Sequence, residues 1–212
     1  MYINQSLKKY LDDLAARQAT PGGGSAAALT GALAAGLLSM VSNYTLGNPK
    51  YKAVEEEVTG YLKESESLRL RFMELIDLDA ASYDKVYQAQ KLPKETPEEK
   101  NSRREKIREA VKEAAVVPIE ICQLSYRALK FCEMMLEKTN VNLVSDLAVS
   151  GALLEGGFKA ALINVEINIS SLDDTNFIVE VRKMLEPMEK EVEVMSSSIQ
   201  EKTKEIITRP KG

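Results

Sequence analysis

The stretch QATPGGGSAAALTGALAAGLLSMVSNYTLGNP, residues 18–49, contains no charged side chain. About 20 apolar residues suffice to cross a bilayer, so a membrane span is the first reading to weigh. The composition argues against it. The run is rich in alanine and glycine, it carries Thr30, Ser39, Ser42, Asn43 and Thr45, and no pattern of interfacial anchors flanks it. A central buried helix fits better, slim enough for neighbouring helices to approach closely. Ser25 is a good N-cap residue, so the helix is expected from Ser25 to about Leu46, with Gly47-Asn48-Pro49 as the turn after it.

A helix buried all round needs other helices around it, and the helical period indeed runs through the rest of the chain, with no strand-like alternation. Leu7, Leu11 and Leu14 share one face of a first helix, from about Gln5 to Arg17. A long helix is expected from about Tyr51 to Gln90 and another from Thr96 to about Glu137. Thr96-Pro97-Glu98-Glu99 reads as a capping box with proline at the first helical position. Pro118 should kink that helix. Two more follow, from about Ser145 to Asn168 and from about Thr175 to Ile207, the last bent near Pro187. Ile178, Val181, Leu185, Met188, Val192, Met195, Ile199 and Ile206 step by threes and fours along it. That stripe is core, or alternatively a dimer contact. The expected fold is all-α, one helical domain over residues 1–212, with long and partly kinked helices.

Composition removes whole classes of function. At 212 residues the chain can bury one sizeable core, and its net charge of -4 offers no basic excess for nucleic acid or an anionic membrane. Cys122 and Cys132 lack metal-ligand spacing and read as reduced, half-buried helix residues, which suits a cytoplasmic protein. Met1 to Lys9 has no apolar core, so no secretory leader is expected there. The chain has no histidine. Ser–His and Cys–His relays are therefore impossible, no metal site is expected, and any proton transfer falls to Asp, Glu, Lys, Tyr or Cys.

Three segments could carry chemistry. Pro21-Gly22-Gly23-Gly24-Ser25 opens a helix, where free amides and the helix dipole favour an anion and glycines allow close approach. The plainer reading is a tight turn. Asp79 falls in an apolar stripe with Leu68, Phe72, Leu75, Ser82 and Val86, and with Ile76 and Tyr83 beside it. Burial there raises a carboxyl pKa, which is how a histidine-free site obtains a group titrating near neutrality. The plainer reading is a buried cap or ion-pair partner. Asp146 shares a helix face with Ser150, Leu153, Gly157, Asn164 and Asn168, opposite Glu155, Lys159 and Glu166. It either points into a site with the two asparagines or merely favours its helix N-terminus.

Together these segments resemble the formiminotetrahydrofolate cyclodeaminase and methenyltetrahydrofolate cyclohydrolase family. The likeness lies in Pro21 to Leu29 with Gly31-Ala32-Leu33 and Asn43, Asp79 to Pro93, Val117-Pro118, Ser145-Asp146, and Asn164-Val165-Glu166-Ile167-Asn168. It covers nearly the whole chain in order. Thr139 departs from it, standing where a glycine is expected. The resemblance implies an all-α homodimer or larger assembly acting on a tetrahydrofolate derivative, polyglutamylated or not, with no cofactor beyond that substrate and no metal. It implies Asp79 and Asp146 as catalytic carboxyls. It implies Pro21, Gly22, Gly23, Gly24, Ser25, Asn43, Tyr83, Asn164 and Asn168 as substrate contacts, with Lys50, Lys52 and Lys94 as partners for an acidic tail. Cyclodeamination to 5,10-methenyltetrahydrofolate with release of ammonia is the first expectation and cyclohydrolase action the alternative. A separate formiminotransferase would supply the former. A non-catalytic folate-binding helical dimer is the rival from another class.

Overall fold

The computed structural model describes residues 1–209. Among them run six helices: α1 (Leu7–Ala15), α2 (Gly23–Thr45), α3 (Glu55–Gln90), α4 (Pro97–Met135), α5 (Val144–Ser170) and α6 (Thr175–Thr208). Short 3₁₀ turns at Tyr2–Asn4, Pro49–Val54 and Val141–Leu143 precede α1, α3 and α5. No described residue lies in a strand, and the fold is all-α.

The uncharged helix is the centre. α2 packs on α3, α5 and α4; α4 also packs on α3 and α5; α6 lies across α5 and α4. Ala27, Ala28, Ala34, Ala35, Leu38 and Val41 are fully or almost fully buried. Gly31 sets the α2–α3 distance, because a Cβ there would stand 2.4 Å from the Phe72 ring. Hydroxyls bridge α2 to α3 and α5: Ser39 Oγ donates to Ser65 Oγ at 3.0 Å and Ser150 Oγ to the Ala34 carbonyl at 3.0 Å. By length and composition α2 could cross a membrane, but 61% of its most apolar window is buried in the bundle, as expected of a core helix.

Two boundaries differ from expectation for local reasons. The N-cap of α2 is Gly22, in extended conformation, so Ser25 sits inside the first turn rather than capping it. Before α3, Asn48 Oδ1 accepts the Lys50 amide at 3.1 Å and starts a 3₁₀ turn, delaying the α-helix to Glu55. The capping box forms as read: Glu99 N donates to Thr96 Oγ1 at 3.2 Å, and Thr96 N to Glu99 Oε2 at 3.1 Å. α4 continues through Pro118 and α6 through Pro187.

The stripe on α6 is core. Val181, Leu185, Val192, Met195 and Ile199 are buried, and Ile178, Met188 and Ile206 pack against the same cluster, so it is not a free face. Cys122 and Cys132 are free thiols, fully rather than half buried, and burial pushes both up to about 12, far from a working nucleophile. Thr139 is buried without positive φ, its hydroxyl donating to the Met135 carbonyl at 2.8 Å, so the loop accepts it without strain.

Candidate functional site

Neighbouring helices run antiparallel, so one end of the bundle gathers the start of α2 and the ends of α3 and α5. There a cleft of about 380 Å³ opens, within the range of small-molecule sites. Gly22, Gly23 and Gly24 form one wall; Asp79, Ser82, Tyr83, Val86 and Gln90 of α3 form a second. Asn164, Ile167 and Asn168 of α5 face them, and Val111 and Ala114 of α4 close the cleft.

The α3 wall is a continuation of the core stripe. Leu68, Phe72 and Leu75 are buried, and the same line carries on through Asp79, Ser82 and Val86 into the cleft. Asp79 lies down on the first turn of α2. Its Oδ2 accepts the Ser25 amide at 2.9 Å, satisfying one of the donors that a helix start leaves free. Gly24 makes room: a Cβ there would stand 2.0 Å from Asp79 Oδ1. Burial pushes the Asp79 carboxyl above the ordinary carboxylate range, outweighing the lowering effect of the Ser25 amide. Asp79 is the one charged side chain among the described residues lining the cleft. It has no salt-bridge partner among them, so the ion-pair reading of Asp79 fails.

The other wall is polar and uncharged. The Asn164 side chain stands over Gly23, where a Cβ would come within 3.3 Å of it, and donates through Nδ2 to the Ala160 carbonyl at 2.8 Å. Asn168 lines the cleft beside it. The expected solvent face of α5 is equally real: Lys159 pairs with Glu155 at 2.9 Å and with Glu193 at 3.0 Å, and Arg182 with Glu166 at 2.9 Å.

Of the expected site residues, Gly22, Gly23, Gly24, Asp79, Tyr83, Asn164 and Asn168 meet at this cleft. Pro21 and Ser25 are buried behind its wall, and Ser25 acts through its amide. Asp146 and Asn43 are elsewhere. Asp146 shares a face with Asn164 but not a height, since their separation along α5 is about 27 Å of helix rise. Asn43 is exposed near the far end of α2, about 30 Å from Gly23 by the same measure. Lys50 and Lys52 belong to the turn beyond that far end, whereas Lys94 follows Gln90 on the cleft side. Ser82 and Gln90 were within reach of the stripe reading; Gln90 extends the 79–83–86 line by one turn. Arg103, whose Nε and Nη2 donate to the Gln90 carbonyl at 3.1 and 3.0 Å, gave no signal in the sequence.

Comparison with known proteins identifies the family. The family model described as formiminotransferase-cyclodeaminase matches residues 6–187. A methenyltetrahydrofolate cyclohydrolase of Methylorubrum extorquens is 39% identical over 95% of this chain and 97% of its own length. The formimidoyltransferase-cyclodeaminase of Rattus norvegicus is 28% identical over 93% of this chain, which spans only 36% of that longer protein. The crystal structure of formiminotetrahydrofolate cyclodeaminase from Thermotoga maritima superposes with a TM-score of 0.87 at 29% identity, covering 98% of this chain and 100% of that one. With the glycine turn, Asp79 and both asparagines inside the matched segment, the chain belongs to the formiminotransferase-cyclodeaminase family.

Proposed function

We propose that the cleft binds a tetrahydrofolate derivative and that the chain hydrolyses its methenyl bridge, as a methenyltetrahydrofolate cyclohydrolase. The observation that carries this reading is Asp79, a half-buried carboxyl with a raised pKa and the one charge in an otherwise neutral, polar cleft. Water bonds to the methenyl carbon and gives a proton to the Asp79 carboxylate. The carbon–N5 bond then breaks: N5 takes the proton held by Asp79, the new hydroxyl releases its own proton to solvent as it becomes the carbonyl, and the formyl group stays on N10. One carboxyl that accepts and then returns a proton serves both steps, and a pKa lifted towards neutrality suits it to each. The Gly23 and Gly24 amides and the side chains of Asn164, Asn168 and Gln90 offer donors and acceptors for a flat polar heterocycle. No cofactor or metal enters this chemistry, and a reduced folate suits a cytoplasmic protein with free thiols.

Whole-length similarity at 39% to a cyclohydrolase supports hydrolysis ahead of the cyclodeamination expected from the sequence. The cyclodeaminase reading keeps the support of the Thermotoga maritima structure and of the Rattus norvegicus relative. In that reaction N10 attacks the N5-formimino carbon and loses its proton, and ammonia leaves after gaining one. In either reaction Asp146 reaches this cleft only from a second copy of the chain. The test is methenyl absorbance in two assays with purified protein. Faster decay from 5,10-methenyltetrahydrofolate, with no signal from 5-formiminotetrahydrofolate, is expected. A rise from the formimino compound with ammonia release would replace hydrolysis by cyclodeamination. Silence in both, with tight folate binding, would leave a binding protein.

A further inference from the structure

α1 is strongly amphipathic yet turned the unexpected way. Its leucines face outward, with Leu7 64%, Leu11 49% and Leu14 36% exposed, and its one buried side chain is Tyr10, 5% exposed. A nine-residue helix that leaves its leucines in water and buries a tyrosine is not placed by apolar burial alone. The polar contacts of that tyrosine explain the placement. The Tyr10 hydroxyl shares a hydrogen bond of 3.2 Å with the hydroxyl of Ser25, itself fully buried. Tyr2, stacked edge-on against Tyr10 with ring centroids 5.5 Å apart, donates its hydroxyl to the Thr20 carbonyl at 3.2 Å. The backbone amides of Tyr2 and Ile3 in turn donate to the carboxylate of Asp77 on α3. Asp77 is half-buried at this contact.

We propose that Tyr10 and Tyr2 are positioning residues for Asp79. The segment before α2 is moored to α3 by Asp77 and grips the Thr20–Ser25 turn at both ends. That grip fixes the Ser25 amide against the Asp79 carboxylate. Neither tyrosine lines the cleft; both belong to the wall of a separate apolar groove between α1, α2 and α3, so they touch no substrate. Without the Tyr10 hydroxyl, Ser25 Oγ loses its described partner, the first turn of α2 loosens, and the carboxyl that shuttles the proton is no longer set. The inference rests on the reading of Asp79 as the proton-handling group.

The test is steady-state hydrolysis of 5,10-methenyltetrahydrofolate by the full-length chain carrying Tyr10→Phe, Tyr2→Phe, Asp77→Asn or, as a control on the exposed face of α1, Lys8→Ala. Tyr10→Phe is expected to lower kcat about tenfold with KM changed less than about twofold, since small misplacement of a reacting group costs rate rather than substrate contacts. Tyr2→Phe and Asp77→Asn are expected to act in the same direction and less, and Lys8→Ala not at all. Wild-type kcat in folded Tyr10→Phe, or a loss matched by the fall in folded fraction, overturns the proposal. If Tyr10→Phe does not fold, an unchanged kcat in both other anchor variants overturns it equally. Asp79→Asn separates the two readings: full turnover there removes the proposed function, whereas an inactive Asp79→Asn beside a fully active Tyr10→Phe removes only the anchor.

Discussion

The two ends of the bundle are built from the same helices and treat their polar groups in opposite ways. At the far end, where α2 finishes and α5 begins, polar groups close on one another. The Asn140 amide donates to Thr45 Oγ1 at 2.9 Å, its side chain to the Tyr44 carbonyl at 3.4 Å, and the Val141 amide to the Tyr51 hydroxyl at 2.9 Å. At the near end, the first-turn amides of Gly23 and Gly24 border a cleft instead, and a carboxyl is lowered onto the turn. Polar satisfaction knits turns together at one end; at the other, room left by glycine exposes donors to a ligand. Glycine and its neighbours, rather than charge, make the difference.

The sharpest way to break this contrast is to fill the space on which it depends. Gly24→Ala puts a methyl where the Asp79 carboxylate rests, and turnover is expected to fall about a hundredfold while the helical circular dichroism signal stays. Normal kinetics would mean that the carboxyl works from another position. We propose that the far end enters catalysis through a second copy, and mixing tests that. Folded Asp79→Asn and Asp146→Asn chains, allowed to exchange subunits, are expected to regain about a quarter of wild-type turnover, because half the pairs are mixed and one site in each is intact. Exchange without recovery would confine Asp146 to supporting its own helix N-terminus.

Stability sharpens the comparison further. Gly31→Ala drives a methyl into the Phe72 ring in the middle of the bundle and is expected to cost about 1–3 kcal/mol in denaturant unfolding. Asp79 itself works against stability at neutral pH. Its folded pKa lies above the unfolded value, so the stability tied to its proton is present below the ordinary carboxylate range and lost as pH rises through the folded value. The melting temperature of Asp79→Asn relative to wild type is therefore expected to climb as pH rises above the ordinary carboxylate range, about 4. A difference independent of pH would mean that folding does not raise the carboxyl pKa. The smallest effect belongs to Gly156→Ala, exposed and with open space at its Cβ, which is expected to stabilise by about 0.5–1 kcal/mol.

Much of this was legible in the chain. The uncharged run of residues 18–49 gave the central helix, and the stripe through Leu68, Phe72 and Leu75 led straight to Asp79. A helical period reports the face a residue shares and not its height, which is why Asp146 was grouped with Asn164 although the helix carries them to opposite ends. Ser25 was read as an N-cap from its residue type; the glycine before it takes that role, and Ser25 is used through its amide. The tyrosine anchor was invisible, because the leucines of α1 mark one face as core and only packing reveals that Tyr10 is the residue buried. The Asp77 contact with the Tyr2 amide spans 75 residues and leaves no local pattern.

The most direct measurement is the rate of methenyl absorbance decay with folded Asp79→Asn at saturating 5,10-methenyltetrahydrofolate. A proton-shuttling carboxyl contributes about a hundredfold or more, so kcat is expected to fall by at least that with the substrate still bound. Turnover within about twofold of wild type would contradict the account and move the chemistry away from this end of the bundle.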